Sequence, residues 1–264
     1  MKLPAGAPWT DVAFAGVYWQ EQERLPALLD LASRWFTNIH IGVQTNDPEH
    51  DETLAIARRY TDNIIVEPVQ GYAEPTLNNV VARIRSEWTF VVSGDEMPSE
   101  RLLSKFQDMV YIADHGDDYS NIDGFWISFV STIEGVEYQS EQDRHLRLFR
   151  SRRGWPSSMH SRPHVNYPMF WPREDGVIYH DRTLDEMIRD YLRYLRLSNG
   201  NDQWAAHNRL MIHDAVTATA QRYSWELVED YGWWPEAKEV AFDECIERCG
   251  MHDAGYDCKS LVPA

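Results

Sequence analysis

The sequence predicts an α/β domain built on a mixed, mostly parallel sheet flanked by helices, with a helical extension at the C-terminal side. Three observations predict it. Short apolar runs alternate with helix-spaced apolar residues through the first half of the chain. The connections between them are short, as parallel strands with crossover helices require. The run Trp88 to Val92 passes directly into Ser93-Gly94-Asp95-Glu96, placing carboxylates at the carboxyl end of a core strand, where such sheets bind ligands.

The elements follow in order. Val12 to Val17 reads as a strand, and Leu25, Leu28, Leu29, Ala32 and Trp35 recur at helical spacing. Ile39 to Val43 is the next strand. The polar loop Gln44 to His50 leads to a helix beginning near Asp51, with Leu54 and Ala57 on one face. Asn63 to Val66 is a third strand, and Leu77, Val80, Val81 and Ile84 mark a third helix. After Trp88 to Val92, Pro98 and Ser99 open a helix carrying Leu102, Leu103, Phe106, Met109 and Val110.

The middle of the chain changes character. Gly124 to Ile133 reads as a long strand and Glu134-Gly135 as a turn, with further strands at His145 to Phe149 and Gly176 to Tyr179. The stretch holding Trp155, Pro156, His160, Pro163, His164, Pro168, Trp171 and Pro172 has too many prolines for a regular element and reads as a functional loop. The last third is helical. Thr183 and Glu186 form a capping box, and Asn199-Gly200 closes that helix. The expected boundaries are 1–182 for the α/β domain and 183–264 for the extension.

A chain of 264 residues with 43% hydrophobic residues, 11 Trp and 13 Tyr has ample material for a core and is unlike a disordered polymer. The net charge of -17 disfavours nucleic-acid backbones and anionic membranes. Against that balance, Arg144, Arg147, Arg150, Arg152 and Arg153 cluster, as a basic pocket or as a solvated strand edge. Three cysteines, no apolar leader and no membrane-length run fit a cytoplasmic protein with no membrane span. Cys245, Cys249, His252 and Cys258 have zinc-ligand chemistry, but their spacing matches no common zinc pattern, and buried helix thiols are the plainer reading.

Asp95 is the strongest chemical signal. A carboxylate leaving a core strand suits Mg or Mn, which in turn grip phosphates; alternatively Asp95 or Glu96 caps the following helix. The segment resembles the Asp-x-Asp-Glu stretch of family-2-like glycosyltransferases. Asp51-Glu52-Thr53-Leu54 is similar to that family's Asp-Gly-Thr stretch. Arg147-Leu148-Phe149-Arg150, then Trp155 and His160, resembles the Arg-Leu-Phe-Arg, Trp, Val-His-Glu series of one branch, and Tyr179-His180 matches its late histidine. The likeness runs from about Val12 to Leu197.

The resemblance implies a Rossmann-like GT-A fold and a soluble transferase that moves a sugar from a nucleoside diphosphate sugar, UDP ahead of GDP, to a hydroxyl acceptor. It implies Mn or Mg held by Asp95 and His180, and a donor site including Gln44, Asp51, Ser93, Asp95 and Arg147. Displacement would proceed with inversion, assisted by a base among His160, Asp143 and Glu141. Ser93 stands where the first Asp of the motif is usual, Gln44 where an Asp reads the nucleobase, and Ser161 where a Glu follows the His. Trp126, Trp155 and Trp171 are candidates for a sugar platform, with core packing the plainer role for Trp126. Other readings stay open: a non-catalytic carbohydrate-binding or assembly protein on the same fold, a nucleotidyltransferase, for which the first strand lacks a Gly-rich loop, and a transferase acting on a modified DNA base.

Overall fold

The computed structural model describes residues 9–115, 122–133, 135–137, 144–158, 161–183 and 186. Its first half is a run of strand–helix units. β1 (Trp9–Tyr18) is followed by α1 (Leu25–Trp35), β2 (Phe36–Gln44), α2 (Glu52–Ala57), β3 (Ile64–Glu67), α3 (Glu74–Arg83) and β4 (Trp88–Val91). These four strands are parallel, in spatial order β3-β2-β1-β4.

Side-chain alternation along β1 explains why the sheet is covered on both faces. Val12, Phe14 and Tyr18 join the larger core with α1 and α2, while Ala13 and Ala15 join a second core with Leu77, Val80 and Val81 of α3. Each fully buried Leu or Phe of these cores contributes about 1.5–3 kcal/mol. Phe14, Phe36, Phe90 and Phe106 form an aromatic group in the larger core, Phe90 and Phe106 meeting edge-on at 4.7 Å.

After β4 comes a strand of three residues, β5 (Glu96–Pro98), which the sequence does not announce. The helix expected next is two: α4 (Glu100–Ser104), capped by Ser99, and α5 (Phe106–His115). β6 (Gly124–Ile133) and the short β7 (Val136–Glu137) flank a turn whose Gly135 has φ +75°. β8 (Arg144–Arg150) inserts antiparallel between β4 and β6.

The proline-rich stretch is not wholly irregular. β9 (Pro168–Phe170) pairs in parallel with β6, its proline at the first strand position, where a missing N–H is tolerated. β10 (Ile178–Arg182) then pairs antiparallel with β5. The result is a mixed α/β sheet of ten strands flanked by helices, with a parallel half and an antiparallel half.

By internal contacts the chain divides into two compact units, Met1–Ser131 with Gln139–His180, and Thr132–Tyr138 with Asp181–Ala264. In the second, Thr183 and Glu186 exchange the two hydrogen bonds of a capping box: Thr183 N–H donates to Glu186 Oε2 (2.8 Å) and Glu186 N–H to Thr183 Oγ1 (3.2 Å). The helices expected after it, Asn199-Gly200 and the Cys245/Cys249/His252/Cys258 group lie outside the described residues. Among the described residues, no helix is long and apolar enough to cross a membrane.

Candidate functional site

The order β3-β2-β1-β4 reverses direction at β1: the chain moves outward through β2 and β3, then returns to β1's other side as β4. Loops leaving the two strands at such a switch point diverge and open a crevice at their carboxyl ends. Here those loops are Trp19 to Glu21, after β1, and Ser93 to Asp95, after β4. They abut closely. A Cβ on Gly94 would lie 2.6 Å from Glu21 Cγ, so a larger residue there would push the Glu21 side chain aside.

Asp95 and His180, 85 residues apart in sequence, meet in this crevice. His180 Nε2 lies 2.9 Å from Asp95 Oδ2, and Ser131 Oγ lies 3.5 Å from His180 Nδ1. The pairing of β10 with β5 makes this possible, because it sets His180 directly opposite Glu96.

Glu96 itself turns inward. It is buried, accepts a hydrogen bond from Ser93 N–H (2.9 Å) and forms an ion pair with Arg147. Arg147 reaches it by a β-bulge. β6 residues Phe125 and Trp126 pair with Leu148 and Leu146, leaving Arg147 as the extra residue of β8. The guanidinium also lies over the Phe129 ring, 5.4 Å from its centroid. Beneath the turn, burial, and then the charges of Glu96 and Glu21, hold the Tyr18 phenol protonated well above its ordinary value.

Beside the crevice is an open groove of about 370 Å³, lined by Trp19, Gln20, Thr45, Asn46, Asp47, His50, Asp51 and Val69. These residues follow the carboxyl ends of β1, β2 and β3. Gln20 has φ +56°, and among the described residues it is the only non-glycine in that region, a strained conformation that marks functional loops. Asp51 caps α2, accepting from Leu54 N–H at 2.7 Å, and His50 Nδ1 lies 3.0 Å from Asp47 Oδ1.

The expected site residues are therefore distributed as follows. Asp95 and His180 come together, with Ser93 at the same turn; Asp51 lines the groove. Gln44 is buried beside the groove and bonded inward: its Nε2 donates to Tyr72 O (2.8 Å) and Thr76 Oγ1 (3.0 Å), and its Oε1 accepts from Gln70 N–H (3.4 Å). Arg147 is committed to Glu96. His160, Asp143 and Glu141 lie outside the described residues.

The arginine cluster is mostly structural. Arg150 pairs with Glu87 and Asp114, and Arg153 pairs with the fully buried Asp123. Asp123 also accepts from the N–H groups of Asn166 and Tyr167, fastening the proline-rich segment to the start of β6. Trp155 and Trp171 are buried, whereas Trp126, expected in the core, is only half-buried. The groove residues Trp19 and Gln20 were not singled out from sequence, whereas Asp47 and His50 belong to the polar loop Gln44 to His50, which stood out there without a role for either residue. Their one signal is their position after apolar strands.

Asp95 and His180 are a carboxylate and an imidazole within hydrogen-bond distance, a donor pair that suits Mn or Mg when phosphate oxygens complete the shell. Among the described residues, no group of three or more His, Cys, Asp or Glu side chains is arranged to hold a metal by itself.

No family model matches the chain, and no curated protein sequence does. Among solved structures, the chain is similar to S. aureus TarS 1–349 in complex with UDP, at TM-score 0.48 and 13% identity over 80% of this chain and 72% of that one. It is similar to the same protein in complex with UDP-GlcNAc, at TM-score 0.45 and 12% identity over 90% and 80% of the two chains. It is also similar to the mannosyltransferase PcManGT from Pyrobaculum calidifontis in complex with GDP-Man and Mn2+, at TM-score 0.45 and 13% identity over 89% and 80%.

Proposed function

We propose that the chain is a glycosyltransferase that moves a sugar from a nucleoside diphosphate sugar to a hydroxyl acceptor. The observation that carries this reading is the meeting of Asp95 and His180 at the β1/β4 switch point, beside a groove formed by the loops after β1, β2 and β3. A nucleoside fits the groove, with its diphosphate running toward Asp95. Trp19 offers an apolar ring to the nucleoside.

The chain's own charges set the requirement for a cation. Asp47, Asp51 and Asp95 face the path of a diphosphate, and like charges there repel it. Asp95 and His180 would hold Mn or Mg, which supplies charge neutralisation for the leaving diphosphate. Glu96 is not a second ligand while it pairs with Arg147; that pair holds the turn so that Asp95 points at His180. The acceptor hydroxyl attacks the anomeric carbon with inversion, its proton taken by a base from the segments holding His160, Asp143 and Glu141. In this reading 1–182 is the catalytic domain and 183–264 an extension.

Calorimetric titration of UDP and of GDP, with and without Mn2+, on wild type, Asp95→Ala and His180→Ala, tests the proposal. The expected outcome is metal-dependent binding of one nucleotide, lost in Asp95→Ala and weakened in His180→Ala. Binding of neither nucleotide under any metal condition would sink the transferase reading in favour of a binding or assembly role.

A further inference from the structure

A second surface, on the antiparallel half of the sheet, is unlike the rest of this acidic molecule. β9 sets Phe170 directly opposite Trp126 of β6, with ring centroids 6.1 Å apart and planes inclined at 34°. Phe125, Ile127 and Phe129 point into the larger core, so alternation along β6 turns Trp126 to the other face. Phe170 is 58% exposed, so the pair presents an aromatic ring to solvent.

An arginine stands over each ring. The Arg144 guanidinium carbon is 5.1 Å from the Phe170 centroid, and that of Arg162 is 4.8 Å from the Trp126 centroid. The chain has 42 acidic residues against 25 Lys and Arg, and Arg147, Arg150 and Arg153 each hold a carboxylate. Among the described residues, neither Arg144 nor Arg162 does; their partners are the aromatic faces.

We propose that this platform binds an acidic saccharide, and, resting on the transferase reading, that the saccharide is the acceptor. A sugar ring packs its C–H face against Phe170, the exposed ring of the pair. The guanidinium forks take the carboxylate or phosphate groups the sugars carry, with bidentate geometry. The platform adjoins the segments expected to activate an acceptor: Arg144 directly follows Asp143 in the chain, and Arg162 follows His160 by two residues. In the sheet, β8 lies next to β4, which leads to Asp95, and β6 lies on the far side of β8. A single-stranded nucleic acid would also bring rings and phosphates, but a polyphosphate strand needs a track of cations, and a net charge of -17 opposes it.

The test is calorimetric titration of the full chain with tri-galacturonate, with maltotriose as the neutral counterpart and with a short oligothymidylate. It is repeated on Phe170→Ala and on the double variant Arg144→Gln/Arg162→Gln. Tri-galacturonate should bind and maltotriose bind more weakly, and each variant should weaken tri-galacturonate about tenfold. UDP or GDP binding with Mn2+ should be unchanged in both variants, which separates this surface from the donor site. Failure of tri-galacturonate to bind, equal affinity in wild type and variants, or tighter binding of oligothymidylate overturns the proposal. Tri-galacturonate binding that obeys these variants in a chain that binds no nucleotide would keep the platform and remove the transferase reading.

Discussion

Arg147 and Glu96 form an ion pair closed off from solvent, their side chains 13% and 3% exposed, directly beneath the Asp95 turn. Such a pair is weak evidence of net stabilisation, because both charges lose their hydration, yet removing one partner strands the other. Arg147→Met and Glu96→Gln should each lower unfolding free energy by about 3–5 kcal/mol. The double variant Arg147→Met/Glu96→Gln should lose clearly less than the two singles combined. Urea unfolding of the four proteins measures this, and simple additivity would show that the two groups act independently.

Gly176 precedes β10 and has φ +124°, where a side chain is strained, and a Cβ there would lie 2.7 Å from Leu102 Cβ in α4. Gly176→Ala should therefore destabilise the protein by about 1–3 kcal/mol or more. It should also displace His180 from Asp95. The expected pairing of results is a lowered melting temperature with weakened Mn2+-dependent nucleotide binding.

Asp51 combines a cap with a place on the groove wall. Asp51→Ala should cost about 1 kcal/mol of stability through loss of the bond to Leu54 N–H, whereas Asp51→Asn keeps an acceptor and should be near neutral. Thermal unfolding separates the two, and equal losses would mean that the charge, not the cap, matters.

His40 in β2 is held below its ordinary value of 6.5 by burial. The folded chain thus takes up this proton less readily than the unfolded chain does. Stability associated with neutral His40 is intact above 6.5 and declines as pH falls through 6.5 toward the lower folded value. The fall in melting temperature between about pH 7.5 and about pH 5 should be smaller in His40→Gln than in wild type. An equal fall in both would remove His40 as a contributor.

The parallel half of the sheet was legible because its strands are short apolar runs, such as Val12 to Val17, and its helices carry a clear period, as in Leu25, Leu28, Leu29 and Ala32; which β1 side chains face which core appears only in the folded chain. Asp95 was legible for the same reason, as the polar end of an apolar strand. β5 and β9 were not, since three residues are too few to show a period, and Pro168 argues locally against a strand. The inward bonding of Gln44, the pairing of Arg150 with Glu87 and Asp114, and the Phe170–Arg144 stack depend on residues distant in sequence that come together only in the folded chain.

The surplus residue at position 147 also governs what kinds of change this strand tolerates. In a regular ladder, neighbouring side chains take opposite faces, so deleting a residue of β8 other than Arg147 either turns every side chain on one side of the cut to the other face or consumes the bulge that aims Arg147. The composition of Arg-Leu-Phe-Arg would survive such a deletion while its wiring to Glu96 would not. Point substitutions in β8 are thus graded insults, whereas a single-codon deletion acts as an inversion of the strand, and a deletion scan across Arg144 to Arg150 should fail more uniformly than an alanine scan over the same residues.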